Sequence, residues 1–521
     1  MCTETCNIRK EYQELKIRNN TLNSDVHYWR SRFEDRIGRE EALKEKIKEL
    51  QAKLKYRESQ LFGKKREKRS GIDCYAGNNN GNKQESIKRG RRKGSPGHGR
   101  KSYDNLDVEI VEHALSDEDK KCLVCGKSFR ELTITEESEE IEWEVNVYRK
   151  RHKRKRYARC CDCPQTPSII TAPVPDKLIP KGLFSVGFWT KLLILKYLFQ
   201  LPLSRIIQKL SLQGLEISPG TLTGGLQKIQ MMMAPLYDRI VESVRQVSHL
   251  HIDESRWYVF EEIAGKDSYQ WWIWVFSTSN AVVYVIDPSR SSSVPVEYVG
   301  QGEGIILSVD RYSAYKKLAR EHSNGLLLAF CWSHVRRDFF NVMKSWKELE
   351  NWSFKWIDRI GELYKINKER LSYSQDSEDY IKSDEQLRVA INKMEEDRDQ
   401  ELSEDNLHHA GKKVLISLEN HWEGLTLFVD HPHIPMDNNE AERCLRNPIL
   451  GRKNYYGSGS VWSAEFSAMM FTVLQTARKN GINPEKYLRS YLKHCAANGG
   501  NAPEDLGKFL SWDSDLWNDS S

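Results

Sequence analysis

The sequence predicts a multidomain α+β protein in which helical segments lead into a mixed α/β domain that carries a helical insertion. Three observations predict it. Apolar residues near the N-terminus recur at three- and four-residue steps, the period of a helix. From residue 247 the pattern changes to short β-branched and aromatic runs separated by polar turns, the mark of strands. Between these regions lie a basic stretch rich in Gly and Asn, with nothing to bury in a core, and two closely spaced cysteine pairs. At 521 residues, a prior of about 150 residues per domain allows roughly three to four units.

Residues 1–61 are charged and helix-favouring, with Leu15, Leu22, Val26, Trp29, Phe33, Leu43, Ile47, Leu50, Leu54 and Leu61 on the apolar period. Either a short coiled coil or a helix packed on its own protein fits this spacing. Residues 62–103 read as a disordered basic linker, and 104–185 as a small module around the cysteines. Residues 186–235 turn helical. The run at 187–203 carries Lys191 and Lys196, so it reads as a buried amphipathic helix and not a membrane span. The stretch 202–229 reads as helix, turn, helix, with Ser218 as N-cap and Pro219 in the first turn. That pattern suits a DNA-reading helix-turn-helix or simply two packed helices. Residues 236–480 hold the strands: HLHID (249–253), RWYVFEE (256–262), QWWIWVFST (270–278), AVVYVID (281–287), IILSVD (305–310) and LLLAF (326–330). Charged helical sequence from about 338 to 430 is the insertion, and 481–521 is a C-terminal tail.

The net charge is only +6, but its distribution is uneven. Between residues 64 and 101 there are 13 Lys or Arg against 3 acids, and between 149 and 159 there are 8 and none. Two such runs are the footprint of a polyanion binder, and nucleic acid is the expected partner. The N-terminus lacks the apolar core of a signal peptide, so a cytoplasmic location is expected. Its eleven cysteines are then reduced, and pairing points to metal before disulfides. Cys122 and Cys125 form one C-x₂-C pair, and Cys160 and Cys163 another. Four thiolates suit one closed tetrahedral Zn²⁺ site, making 104–185 a zinc-binding module. Cys331 and His334 could be read as a further metal pair, but no second pair lies nearby in sequence.

Asp253 stands within or at the end of one apolar strand and Asp310 at the end of another, and DNNEAERCLR (437–446) reads as a capped helix start bearing another acid. Two Asp and one Glu on a mixed sheet can hold two Mg²⁺ or Mn²⁺ ions for phosphodiester chemistry. The surrounding residues are more specific. HIDES, SVDRYSAY, CWSHVRRDFF and DNNEAERCLRNPILGRKNYYGSGS together resemble the motifs of the transposases of insertion sequence family 66. QLFGKKREK (60–68) and the cysteine pairs fit as well.

That resemblance implies an RNase H-like catalytic domain with a DDE site of Asp253, Asp310 and Glu442. It implies a bacterial DNA transposase that cuts at transposon ends and transfers the strands to target DNA. A homo-oligomer and accessory proteins of the same element are expected partners. Glu440 and Glu442 are two apart and point roughly 200° from each other on a helix; the family pattern puts the catalytic acid before Arg, selecting Glu442 and leaving Glu440 as a solvated or DNA-side charge. Arg311 replaces a residue that is commonly small. Trp332 either stacks on an unpaired base or packs in the core, while His334, Arg336, Arg337, Arg443, Arg446, Arg452 and Lys453 are the expected DNA-facing residues. A nuclease of the same fold and a non-enzymatic DNA-binding protein are the rival readings; strand transfer separates them.

Overall fold

The computed structural model describes residues 147–158 and 169–512, with most positions between 15 and 54. All of these fall in one compact unit; the other, 64–146, lies outside the described residues, as do Cys122, Cys125, Cys160 and Cys163. The described positions between 15 and 54 are helical and exposed, Leu22, Val26, Trp29 and Phe33 among them. Strands β1 (Arg156–Ala158) and β2 (Ile169–Thr171) form an exposed antiparallel pair that brackets the segment of Cys160 and Cys163.

Helix α1 (Val186–Leu193) begins on Ser185, whose hydroxyl accepts the Phe188 N–H, and continues as a wider turn through Leu198. Trp189, Leu192, Leu193, Ile194 and Tyr197 are buried, as the amphipathic reading requires. After α2 (Leu203–Leu212), α3 (Pro219–Val244) starts at the expected cap, with the Ser218 hydroxyl accepting the Thr221 N–H. The order is helix, turn, helix, but α3 runs unbroken past 235, where a domain boundary was expected. Its Leu226, Ile229, Met233, Leu236 and Ile240 are buried in the main core, and Tyr237 donates to the Tyr284 carbonyl inside the sheet. Much of the second helix is thus a wall of the α/β domain.

The sheet has five strands in the order β5-β4-β3-β6-β7. β3 (His249–Tyr258), β4 (Gln270–Ser277) and β5 (Val282–Asp287) are antiparallel; β6 (Ile305–Val309) and β7 (Leu326–Phe330) run parallel to β3. Near-continuous apolar runs fit strands covered on both faces. Helix α4 (Ser313–Glu321) links β6 to β7. The insertion is helical throughout: α5 (Trp332–Ser345), α6 (Glu350–Arg370), α7 (Glu378–Leu402) and α8 (His409–Glu419). It is pinned by Arg370, wholly buried, which pairs with Asp384 and donates to the Phe428 and Val429 carbonyls.

Helices α9 (Asn439–Tyr455) and α10 (Val461–Lys479) then return to the sheet. The stretch expected to be a tail instead contains α11 (Pro484–Ala497), whose Tyr487, Leu488, Tyr491, Leu492 and Cys495 are buried. These recur at helical spacing and give the helix a face to bury. No helix among the described residues is long and apolar enough to cross a membrane.

Candidate active site

Strand pairing places the first two acids. His249 pairs with Ile306 and His251 with Ser308 in the parallel β3–β6 ladder. Continued two residues past the end of that ladder, the same register points Asp253 toward Asp310, and the Asp310 carboxylate is among the charges that raise Asp253. Asp253 lies inside β3, and Asp310 is the first residue after β6. Each is oriented by the backbone that follows it: the Glu254 N–H donates to Asp253 Oδ1 and the Tyr312 N–H to Asp310 Oδ1, both at 2.9 Å.

The third acid is delivered by α9, which covers the β3 face that carries His251, Asp253 and Ser255. Asn438, just before this helix and 2% exposed, fixes the approach. Its Nδ2 donates to the Ile252 carbonyl at 2.7 Å and its Oδ1 meets His251 Nδ1 at 2.9 Å. The Asn438 N–H donates to Cys331 Sγ at 3.2 Å, and its carbonyl accepts the Glu442 N–H at 3.3 Å. One residue therefore ties β3, the end of β7 and the first turn of α9 together. Asn438 and His251 were not singled out from the sequence, since their contact joins positions far apart in the chain.

Glu442 then sits with its Oε1 3.8 Å from both His334 Nε2 and Arg337 Nη2. Glu440 faces elsewhere: Lys479 Nζ meets its Oε1 at 2.6 Å and Arg443 Nη2 its Oε2 at 2.7 Å. Burial alone would raise Glu440, but those bonds override it and bring the carboxyl down to about 2. Glu440 is thus a member of an internal ion pair, not the solvated charge expected.

Electrostatically the site is short of positive charge. Burial, then Glu254 and the carboxylates of Asp310 and Glu442, push Asp253 up to about 8. Burial also raises Glu254, against hydrogen bonds from Tyr315 and Arg290. His334 is lowered, by burial first and then by Arg337, which favours the neutral ring. Arg311 pairs with Asp338 and donates to Ser417 at 2.9 Å, which turns its guanidinium toward the insertion, while its charge still helps to lower His334. Among the described residues no three His, Cys, Asp or Glu side chains form a ready-made cation cage. The donor set nevertheless suits hard divalent cations, because Asp253 is raised by burial and by the carboxylates around it, which a bound cation would offset.

Two expected DNA contacts are corrected. Trp332 is 0% exposed, donates to the Leu425 carbonyl at 2.7 Å and packs edge-on to Trp422, so it is core and cannot stack on a base. Arg452 is turned back onto β3, donating to Ser255 at 3.2 Å and to the Arg256 carbonyl. Arg336, Arg337, Arg443, Arg446 and Lys453 are exposed. Cys331, with Sγ accepting the Asn438 N–H and its thiol pushed up by burial, has a packing role.

Comparison with known proteins now gives the class: the sheet, the acids and α9 all lie within residues 181–466, which match a family model of transposases. That model is described as the transposase IS66 family, and the chain belongs to it. Two relatives from Sinorhizobium fredii, both called uncharacterized proteins, extend the match. The protein y4jD is 27% identical over 412 residues, 76% of this chain and 79% of its own length. The protein y4hP is 25% identical over 422 residues, 75% of this chain and 73% of its own.

Proposed function

We propose that this transposase cuts DNA at the ends of its element and joins the freed strands to a target, using Asp253, Asp310 and Glu442. What supports this reading is the β3–β6 ladder, whose register continues toward Asp253 and Asp310, together with the α9 turn whose Glu442 is, like Asp310, among the charges that raise Asp253. We read the sheet, three antiparallel strands followed by two parallel ones, as an RNase H-like DDE domain.

In the first step a water oxygen attacks a phosphodiester phosphorus; the P–O3′ bond breaks, and the proton given up by water ends on the released 3′-hydroxyl. In the second, the oxygen of that 3′-hydroxyl attacks a target phosphorus; a new P–O bond forms as the target's P–O3′ bond breaks, and the proton lost by the attacking hydroxyl ends on the released target 3′-oxygen. Asp253, Asp310 and Glu442 would hold two Mg²⁺ or Mn²⁺ ions, which supply nucleophile activation and charge neutralisation at the leaving oxygen. The protein's own part is to fix the carboxylates on rigid strands and on α9, and to bind the DNA. His334 and Arg337 flank Glu442 and restrict its carboxylate. Arg336, Arg337, Arg443, Arg446 and Lys453 contact phosphates, which position the DNA without reading sequence. Cys122, Cys125, Cys160 and Cys163 hold one structural Zn²⁺, the N-terminal helix supports a homo-oligomer that brings two ends together, and accessory proteins of the same element assist.

The test is an assay of purified protein with element ends, Mg²⁺ and target plasmid, with joints sequenced. Asp253→Asn, Asp310→Asn and Glu442→Gln should each lower cleavage and joining by at least about a thousandfold, on the order of 4 kcal/mol in barrier, while end binding persists. Normal joining by any of the three rejects the assignment. Cleavage without joining would make the protein a nuclease instead.

A further inference from the structure

An arginine that belongs to none of the sequence motifs is built into the rim of this site. Arg290 lies in the turn after β5. Its Nε and Nη2 both donate to Glu254 Oε1, at 2.8 and 2.6 Å, while Tyr315 donates its hydroxyl to Glu254 Oε2 at 2.5 Å. The Glu254 side chain is 1% exposed, but that of Arg290 is 38% exposed. The guanidinium carbon stands 4.6 Å from the centroid of Trp272 and 4.0 Å from that of Tyr312. Tyr312 also donates its hydroxyl to the Arg290 carbonyl at 3.2 Å, and its amide is the one that holds Asp310.

A buried carboxylate needs a counter-charge, and a plain salt bridge would meet that need. Two features exceed it. Two rings and the two bonds to Glu254 hold the guanidinium in position, so much of its side-chain entropy is lost before any ligand arrives. Glu254 also takes only two of the five N–H donors that a guanidinium carries, and the rest belong to a side chain open to solvent beside the second acid. Successive strand residues point to opposite faces, so Glu254 and Arg290 approach from the side that α9 does not cover. Arg337 approaches from the α5 side, 3.8 Å from Glu442.

We propose that Arg290 grips a non-bridging oxygen of a DNA phosphate at the Asp310 side of the site, with Glu254, Trp272 and Tyr312 holding it in place. The assignment rests on the DNA-cutting reading above. A DNA strand lying past Asp253 and Asp310 then meets positive charge from Arg290 on one flank and from Arg337 on the other.

The test uses the full-length chain with the paired substitution Arg290→Met/Glu254→Gln, which leaves no unpaired buried charge, and with Arg290→Lys. Binding to a short DNA duplex is measured against salt without divalent cation, cleavage is measured with Mg²⁺, and folding is followed by thermal melting. Loss of one phosphate contact should make the slope of log affinity against log salt shallower by about 0.9 in the paired variant. Its cleavage should fall at least about a hundredfold while its melting temperature stays near that of the parent. Arg290→Lys should keep the slope and lose about tenfold in cleavage, because an ammonium cannot present the planar fork. A folded paired variant with the parent's slope and cleavage overturns the proposal. If the paired variant does not fold, undiminished cleavage by Arg290→Lys overturns it. A parent chain that binds DNA but never cuts would sink the catalytic reading, yet a shallower slope in the paired variant would still support the phosphate contact.

Discussion

Glu440 and Glu442 stand two residues apart in the first turn of α9, and the structure sends them to different partners. Glu440 is bound to Lys479 and Arg443, whereas Glu442 lies by His334 and Arg337. Glu440→Gln should therefore act on stability. It leaves the Lys479 ammonium, only 17% exposed, with a weaker partner, at a cost of about 1–3 kcal/mol. Its cleavage should stay within about threefold of the parent, since no metal-facing carboxylate is lost. Glu442→Gln should melt like the parent and lose cleavage. Melting curves and single-turnover cleavage on both variants check this; an inactive Glu440→Gln beside an active Glu442→Gln would reverse the roles. In the sequence, helical geometry says only that the two cannot face the same side, and it is the family pattern that points to Glu442. The ion pair with Lys479 was not legible there, because nothing local links positions so far apart in the chain. The same limit hid Glu254 and Arg290: the sequence places Glu254 next to Asp253 but does not say what neutralises it.

At the scale of elements, strands and helix starts were the most legible features. Asp310 follows its strand as the apolar run predicts, whereas β3 runs on past Asp253 to Tyr258; the α3 start is marked by Ser218 and Pro219. Burial was less legible. Trp332 follows a strand and precedes two arginines, which suits a base-stacking residue as well as a core one; only the packing of α5 under Trp422 decides. Trp332→Ala should cost about 3–5 kcal/mol as a buried large-to-small change, with the salt slope of DNA binding unmoved in the protein that remains folded. A wild-type melting temperature with weakened DNA binding would return Trp332 to the DNA surface. The keying of α9 was hidden too. Asn438→Ala removes both amide bonds to β3 and leaves His251 Nδ1 and the Ile252 carbonyl unpaired, which should cost about 2–4 kcal/mol. Because Glu442 hangs from the same turn, this variant should also need more Mg²⁺ for half-maximal cleavage. An unchanged Mg²⁺ requirement would confine Asn438 to a purely structural part.

For the molecule as a whole, the sequence divides more readily than the structure does. Helix α3 crosses an expected domain boundary, and α11 brings an expected tail into the main core, because both carry apolar faces that the α/β domain buries. The β1–β2 pair is the opposite case. Its six residues are all exposed, and a two-stranded ladder without a core is marginal in water by itself. It carries Arg156 at the end of the basic run and flanks Cys160 and Cys163, which lie outside the described residues. We propose that thiolate coordination of Zn²⁺ stabilises this segment, since metal binding supplies folding free energy directly. Freshly reduced protein should then contain about one zinc per chain. Cys163→Ser should release it, flatten the salt slope of DNA binding by more than the single-arginine change does, and leave the melting of the sheet domain nearly unchanged. The slope is the discriminating measurement, since a run of eight basic residues between 149 and 159 contributes several phosphate contacts only if a folded module presents them together. Zinc-free protein that binds DNA with the full slope would show that the basic run acts as an unstructured polycation and that the cysteines serve another purpose.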